Sequence, residues 1–189
     1  MAEPRRIVIQ PYSHQWPSEF EKVKVTLQEG LGDVAARIDH IGSTSVPGLA
    51  AKNIIDVQVS VPDLADRRLV AAFESLGAMA TDITRDHVPP GDQREPSEWE
   101  KRYFRAPASW RPTHIHVRET GRANTRYALL FRDYLRHSPP AAAAYAQIKV
   151  TLSRLHPEDV DAYYAVQDPV CDLIMDAAEH WADGADWAP

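Results

Sequence analysis

Apolar and polar residues alternate most regularly between residues 53 and 61, in the segment NIIDVQVSV. A period of two predicts a β-strand, because successive side chains of a strand point to opposite faces of the sheet. The apolar face consists of Ile55, Val57, Val59 and Val61. The other face carries Ile54, Asp56, Gln58 and Ser60. An ionised carboxylate on a strand requires a cation or hydrogen-bond donors, so Asp56 calls for an explanation.

Four other segments have strand character. RRIVIQPY (5–12) predicts a short edge strand that ends at Pro11, and VAARIDHIGS (34–43) predicts a strand with Ile38 and His40 on one face. RYFRA (102–106) and THIHVRE (113–119) predict a hairpin joined through PASWRP (107–112). All of these strands precede residue 120.

Helical spacing of apolar residues predicts five helices. They cover residues 16–32, 64–78, 124–138, 139–156 and 157–185. Asp63 is the predicted cap of the second helix, and Pro169 predicts a kink or interruption in the last one. The order of elements indicates an α+β fold, with a sheet domain over residues 1–120 and a helical cap over residues 121–189 that packs on it as one unit.

The composition narrows the possible functions. Hydrophobic residues make up 44% of the 189 residues and charged residues 25%, which is ordinary for a globular protein. A net charge of −6 argues against a dedicated nucleic-acid surface. The single cysteine, Cys171, lies in a helix-like apolar context and is interpreted as structural. Without a signal segment or a run of about 18 apolar residues, we expect a cytoplasmic protein that does not enter a membrane.

The turn before the polar strand offers groups that bind phosphate. Gly42 leads into three hydroxyl residues, Ser43, Thr44 and Ser45, and Lys52 adds a positive charge in the same loop. Free backbone N–H groups and hydroxyls can cradle a phosphate, and His40 beside the turn can face the same site. The alternative is that Asp56 only accepts hydrogen bonds that shape this turn, which is the preferred reading of so short a motif taken alone.

A second polar group lies in THIHVRE, where alternation places His114, His116 and Arg118 on one face. Two imidazoles and a carboxylate, such as that of Asp56, can hold one divalent ion and leave positions open. The alternative is a polar sheet face in contact with solvent. The motif alone does not favour either interpretation.

These stretches together resemble a known family. HIGSTSVPGLAAKNIIDVQVSV resembles the signature of the GrpB-like family, which is assigned to the nucleotidyltransferase (polymerase-beta-like) superfamily. Further stretches fit the same family pattern in order, namely PYSHQWPSEFE, RYFRA, THIHV and LLFRDYLR. The resemblance implies a nucleotidyltransferase-like mixed sheet flanked by helices. It also implies that Gly42 and Ser43 form the turn that holds a nucleoside triphosphate, and that Asp56 is the first metal-binding acid.

The chain departs from the superfamily pattern at the second acid. Gln58 stands where a second carboxylate completes the usual site, and His114 and His116 stand on the strand that might supply a third. This argues against ordinary two-metal transfer, whereas one ion (Mg²⁺, Mn²⁺ or Zn²⁺) held by Asp56 and the histidines remains chemically reasonable. Two smaller departures are Asn53, where the family usually has proline, and Gln167, about where a late lysine is common.

Three functions are consistent with these residues. The first is a metal-dependent enzyme that transfers a nucleotidyl group to a small acceptor, or activates that acceptor. In it Asp56 would be catalytic and would hold metal with His114 and His116, and phosphate would contact Gly42, Ser43, Thr44, Ser45, Lys52, Arg105, Arg118 and Arg132. Lys149 would close over the acceptor with Arg132. The second is a nucleotide-binding module without catalysis, and the third is a phosphometabolite hydrolase.

The expected partner is a small molecule or nucleotide, not a nucleic acid or membrane, and the oligomeric state stays open. Relatives fused to dephospho-coenzyme A kinase associate the family with nucleotides or coenzyme A.

Overall fold

The computed structural model describes residues 6–189, in which five strands form one mixed sheet in the order β1-β2-β5-β4-β3. The strands are β1 (Arg37–Ile41), β2 (Ile55–Val61), β3 (Met79–Ala80), β4 (Arg102–Arg105) and β5 (Thr113–Glu119). The helices are α1 (Trp16–Leu31), α2 (Arg67–Ser75), α3 (Ala123–His137), α4 (Pro139–Leu155) and α5 (Val160–Gly184). Single 3₁₀ turns cover Gly32–Val34, Ser43–Ser45 and Pro96–Trp99.

The two central strands, β2 and β5, run parallel, and the other neighbouring pairs are antiparallel. The parallel register pairs Asp56 with His114 and Gln58 with His116. Since paired residues on adjacent strands project to the same side, the polar positions of both strands form one continuous face.

The opposite face of the sheet carries the main hydrophobic core. Ile55, Val57 and Val59 have no exposed surface, and they pack with the apolar stripes of α1 and α2. Phe73 of α2 stacks on Phe104 of β4 with ring centroids 4.2 Å apart. This face is buried because every second residue of β2 is β-branched and apolar, as the sequence pattern predicts.

Helices α3, α4 and α5 provide the second layer. Leu135 of α3 and Tyr145 of α4 pack with Val46 and Leu49 from the loop after β1, and Leu130 of α3 packs on Met175 of α5. The polar face of the sheet is therefore covered by helices, and Gln58 and Ser60 are buried there.

The structure corrects several predicted elements. Within the described part of the predicted strand 5–12, Gln10 makes only an isolated bridge to Ala51, and residue 5 lies outside the described residues. Helix α2 begins three residues later than predicted because Asp66 accepts the hydrogen bond of its first turn, whereas Asp63 accepts from Ala65. Helix α5 continues through Pro169 without interruption.

The polar-faced strand β2 and the β4–β5 hairpin are confirmed. Strand β3 is a short addition at the edge of the sheet, within a segment that the apolar spacing left without a strand. No helix between residues 6 and 189 is long and apolar enough to cross a bilayer.

Candidate functional site

A cavity of about 320 Å³ lies between the polar face of the sheet and helices α3, α4 and α5. The sheet contributes Asp56, His114, His116 and Arg118, and the turn after β1 contributes Gly42, Ser43 and Thr44. The helices contribute mainly aromatic and polar side chains, among them Tyr127, Phe131, Tyr145, Lys149, Tyr163, Tyr164, Gln167, Asp168 and Cys171. The cavity thus joins both polar groups that the sequence singles out.

Asp56, His114 and His116 converge at the floor of this cavity. Asp56 Oδ1 lies 3.1 Å from His114 Nδ1 and 3.9 Å from His116 Nε2. One ligand atom from each residue can be chosen so that all lie within 4.8 Å of one another. The side chain of Asp56 is 27% exposed, so its carboxylate is reachable from the cavity. A carboxylate with two imidazoles is a donor set that fits a divalent ion such as Zn²⁺ or Mn²⁺.

The protonation states suit such a donor set. Burial by itself raises the pKa of Asp56, but the hydrogen bond with His114 and the nearby imidazole of His116 hold this pKa well below its usual range. Burial lowers the pKa of His116 to about 4. At neutral pH Asp56 is therefore a carboxylate and His116 a neutral imidazole, which are the forms that ligate metal.

Gly42 allows the turn to pass directly over Asp56. Its φ of +67° lies in the left-handed region, and a Cβ atom at this position would be 2.5 Å from Asp56 Oδ2. A glycine is required on both counts. The turn after it is closed by Ser45, whose Oγ donates to the Gly42 carbonyl at 2.6 Å, and by Thr44, whose Oγ1 lies 3.0 Å from His40 Nε2.

Lys149 of α4 reaches the same turn from the helical layer. Its ammonium donates to Ser43 Oγ and to the carbonyl of Ala50, both at 2.7 Å. Among the described residues Lys149 has no carboxylate within ion-pair distance, and burial lowers its pKa to about 7. A buried cation without an anion favours the binding of an anionic ligand.

Lys52 lies at another part of the cavity wall. Its ammonium donates to the hydroxyl of Tyr164 at 3.0 Å and lies 4.8 Å and 4.7 Å from the ring centroids of Tyr163 and Tyr164. This cation contacts aromatic rings and a hydroxyl rather than a carboxylate, so it adds positive charge to the cavity.

Arg118 lines the cavity, but its guanidinium is held by protein groups. Nε and Nη2 donate to the two carboxylate oxygens of Asp86 at 2.8 Å and 2.9 Å, and Nη1 donates to Gln58 Oε1 at 2.6 Å. Lys101 donates to the same carboxylate at 2.7 Å. Sequence reasoning missed Asp86, because it lies in the irregular loop between β3 and β4, where no periodicity indicates which residues turn inward.

Three of the predicted phosphate ligands, Ser45, Arg105 and Arg132, lie outside this cavity. Arg105 is exposed on β4 and does not line the cavity. Arg132 donates to Asp133 and to the His40 carbonyl, and with Ser45 it lines a second cavity among α1, β1 and α3. The interpretation that His40 faces the site is wrong: its register partner is Val57 of the core face, and its ring stacks on Phe20.

The family relationship follows from comparison with known proteins. A family model described as GrpB protein matches residues 6–177. The chain belongs to the GrpB family. The structure of GrpB from Enterococcus faecalis is similar over 92% of this chain and 99% of that one, with a TM-score of 0.71 and 29% identity.

Two further relatives are longer proteins. The chain is 32% identical to a protein of Mycolicibacterium paratuberculosis named dephospho-CoA kinase, over 98% of this chain and 49% of that protein. It is also 32% identical to the UPF0157 protein YqkA of Bacillus subtilis, over 95% of this chain and 49% of that protein. The chain therefore spans about half the length of these relatives.

The fold is also shared with a more distant structure. Cid1 in complex with its short product ApU is similar over 77% of this GrpB-family chain and 43% of Cid1, with a TM-score of 0.51 and 14% identity. At that identity the likeness concerns the fold alone. It agrees with the mixed, nucleotidyltransferase-like sheet that the sequence resemblance implies.

Proposed function

We propose that this protein binds a nucleoside triphosphate and a divalent metal ion in the cavity, and that it transfers a nucleotidyl group to a small-molecule acceptor or activates that acceptor by such a transfer. The nucleotidyltransferase-like fold and relatives named dephospho-CoA kinase support a nucleotide as ligand. The binding of a metal ion, the binding of a nucleotide and the transfer to an acceptor are all proposed.

The observation that carries the proposal is the position of two different polar groups in one cavity. Asp56, His114 and His116 offer metal ligands, and Ser43 and Lys149 offer a hydroxyl and an ammonium for phosphate. The close approach of Gly42 to Asp56 keeps these groups adjacent. A metal ion beside a cationic turn is the arrangement that phosphoryl chemistry requires, because both neutralise phosphate oxygens.

The turn and Lys149 would bind the anionic part of the ligand. Ser43 faces the cavity, and Lys149 already donates to its hydroxyl at 2.7 Å. A phosphate oxygen at this position would be an anionic partner for Lys149 and would keep its ammonium protonated. Lys52 at the wall of the cavity would extend the positive surface along a chain of phosphates.

Asp56, His114 and His116 would hold the metal ion. When bound, a divalent ion at these residues polarises a phosphoryl oxygen and neutralises charge that develops on it. Asp56 stays ionised for this role, because the hydrogen bond with His114 and the nearby imidazole of His116 lower its pKa although burial alone would raise it.

The helical wall of the cavity fits the apolar parts of a ligand. Tyr127 and Phe131 of α3 stack with ring centroids 6.4 Å apart, and Tyr145 of α4 meets Phe131 edge to face at 5.6 Å. Flat aromatic side chains can stack on a base or enclose an acceptor, and they exclude water from the reacting groups.

A second candidate is a nucleotide-binding module without turnover. Gln58 favours it, since a neutral amide occupies the position next to Asp56 on the polar face and both of its ends are bonded within the protein. Such a module would bind the same ligands and release no pyrophosphate.

Thermal unfolding with nucleoside triphosphates and Mg²⁺, Mn²⁺ or Zn²⁺ tests binding, and pyrophosphate release across a panel of small acceptors tests turnover. A ligand present at about 100 times its Kd stabilises the fold by about 2.7 kcal/mol, so binding is visible without catalysis. We expect Asp56→Asn to lower the affinity for the metal ion at least about 10-fold. We expect Lys149→Met to lower the affinity for the nucleotide by a similar factor.

Lys22→Met is the matched control for Lys149→Met, because Lys22 is exposed on α1 and lies outside the cavity. Nucleotide and metal binding that Asp56→Asn and Lys149→Met leave unchanged would refute the proposed site. Binding without pyrophosphate would support the module, and release of inorganic phosphate alone would support a hydrolase.

A further inference from the structure

The neutral residue next to Asp56 on the polar face is fully engaged. Gln58 is completely buried; its Oε1 accepts from Arg118 and its Nε2 donates to the Thr125 carbonyl at 3.3 Å. These two bonds fix the orientation of the amide, because only the oxygen can accept and only the nitrogen can donate. Gln58 therefore serves to hold Arg118. On β2, Gln58 lies two residues after Asp56, or about 7 Å along the strand.

Arg118 is fixed from two sides. Its side chain is 7% exposed, and Asp86 accepts from it with both carboxylate oxygens. Asn124 donates to Asp86 at 3.0 Å and so holds the carboxylate in place. Bidentate pairing of a planar guanidinium is strongly directional, so this cation cannot turn away without breaking several bonds.

The group carries a net positive charge. Arg118 and Lys101 contribute two cations, and Asp86 is the one carboxylate bonded to either of them among the described residues. Although burial alone raises the pKa of Asp86, Arg118 and Lys101 hold it well below its usual range, so the carboxylate stays ionised. A cation with little solvent around it repels a second dication and attracts an anionic ligand.

A second metal ion beside Asp56 would need further ligands, and Asp168 of α5, which also lines the cavity, is not part of the group with metal-ligand spacing. Within residues 6–189 the one group of His, Cys, Asp and Glu side chains with metal-ligand spacing is Asp56 with His114 and His116. Asp86 lines the cavity, but its oxygens are taken by Arg118, Lys101 and Asn124.

We propose that Arg118 is a built-in cation that replaces a second metal ion beside Asp56, so that the site takes a single divalent ion. This inference rests on the proposed function, in which Asp56 and the two histidines hold that ion. The negative charge of the ligand is then balanced by one metal ion, by Lys149 at the turn, and by the guanidinium of Arg118.

The same arrangement explains why residue 58 is neutral. Asp86 already accepts from two nitrogens of Arg118, so Arg118 needs from residue 58 only one further hydrogen-bond acceptor. A carboxylate at 58 would pair with Arg118 before it could ligate metal, because a charge-assisted hydrogen bond from Nη1 is the stronger nearby interaction.

Counting bound Mn²⁺ tests the inference. Metal-free protein is titrated with Mn²⁺ alone, and the free ion is followed by electron paramagnetic resonance. We expect one Mn²⁺ per chain in the wild-type protein and one in Gln58→Asp. The double variant Gln58→Asp with Arg118→Met is expected to bind two, because Asp56 and the new carboxylate at 58, no longer paired with Arg118, then supply ligands for a second ion.

Gln58→Asp with Arg105→Met is the matched control, since Arg105 is an exposed arginine of β4 outside the cavity; it is expected to bind one ion. Two ions in the wild-type protein or in Gln58→Asp, or one ion in the Arg118 double variant, would overturn the inference and leave the proposed function intact. No ion in the wild-type protein would overturn the metal part of the proposed function itself.

The double variant can fail to fold, because Arg118 joins β5 to the loop that carries Asp86. Thermal unfolding without metal checks this. In that case the wild-type and Gln58→Asp counts still decide the question. A further variant, Gln58→Asp with Arg118→Lys, keeps a cation at this position and is expected to remain at one ion.

Discussion

The two faces of the central sheet are built from the same strands by different physics. On one face Val57 and Ile115 are register partners without exposed surface, packed among other apolar side chains. On the other face the next register pair is Gln58 and His116. Gln58 accepts a hydrogen bond from Arg118, and His116 lies beside the ammonium of Lys101. A shift by one residue along the strand exchanges a hydrophobic core for a charged cavity floor.

The difference shows how each face is specified. Apolar packing on the core face depends on volume, and many side chains of similar size would satisfy it. The polar face depends on particular donors and acceptors at particular distances, since a buried charge without its partner is costly. We therefore expect substitutions on the core face to change stability most, and those on the polar face to change ligand binding and pH dependence.

The largest effect is expected for Phe104→Ala on β4. Phe104 is completely buried and stacks on Phe73, and removal of such a ring costs about 4 kcal/mol through lost burial and a residual cavity. Its neighbour Tyr103 projects to the polar face beside His114 and His116. Tyr103→Phe keeps the ring and should cost less than about 1 kcal/mol. Urea unfolding of both variants measures the contrast.

The comparison would fail if the two adjacent substitutions destabilised the protein equally. That result would mean that the hydroxyl on the polar face contributes as much to folding as a core ring. Nucleotide and metal binding, measured where Phe104→Ala is still folded, should be unchanged in that variant, because Phe104 does not line the cavity.

The sequence predicts the two faces unequally well. Alternation along residues 53–61 is enough to assign Ile55 to the core and Asp56 to the opposite face, and the His-x-His spacing places His114 and His116 beside each other. Asp86 and the exact contact of Lys149 depend on how a loop and a helix fold back over the sheet. No local pattern encodes such contacts between residues distant in sequence.

The sequence does not predict which side chains of the covering helices face the polar side of the sheet. Arg132 belongs to a helix predicted correctly, yet its guanidinium lies in the second cavity because the rotation of α3 about its axis depends on packing against α5. The sequence indicates which helices are amphipathic, whereas the tertiary packing decides which of their polar residues meet the turn.

An intermediate effect is expected for Gly42→Ala, which affects both folding and the site. Alanine at a φ of +67° is strained, and its Cβ would lie 2.5 Å from Asp56 Oδ2. We expect a loss of about 2 to 3 kcal/mol in unfolding free energy, and metal affinity lowered at least about 10-fold because Asp56 must move. Urea unfolding and Mn²⁺ titration measure the two effects.

Gly48→Ala separates strain from contact. Gly48 has a φ of +79° but nothing within 4 Å of an added Cβ, so only the backbone strain remains and about 1 kcal/mol should be lost. Metal affinity should not change in this control. Equal losses of metal binding in the two variants would show that the contact of Gly42 with Asp56 is unimportant.

The smallest effect is expected from the titration of Lys149. Burial lowers its pKa to about 7, and the charges of Lys52 and Asp56 act on it in opposite directions. Between pH 7 and about 10.4 the unfolded chain holds a proton at this lysine that the folded chain does not. Over the single unit from pH 7 to 8, stability must then rise relative to Lys149→Met, by at most about 1.4 kcal/mol.

The sign distinguishes an unpaired lysine from a salt-bridged one. A lysine stabilised by a carboxylate would have a raised pKa, and its contribution to stability would be lost at high pH instead of gained. The unfolding free energy of Lys149→Met is subtracted at each pH. This subtraction cancels the contributions of the other titrating groups, Cys171 among them, to the pH dependence. Bound phosphate should flatten the difference, because an anion at Ser43 gives the buried ammonium its missing partner and raises its pKa. If this difference in unfolding free energy fell with pH in the ligand-free protein, Lys149 would already be paired with an anion. The turn would then have no unpaired positive charge for binding a phosphate.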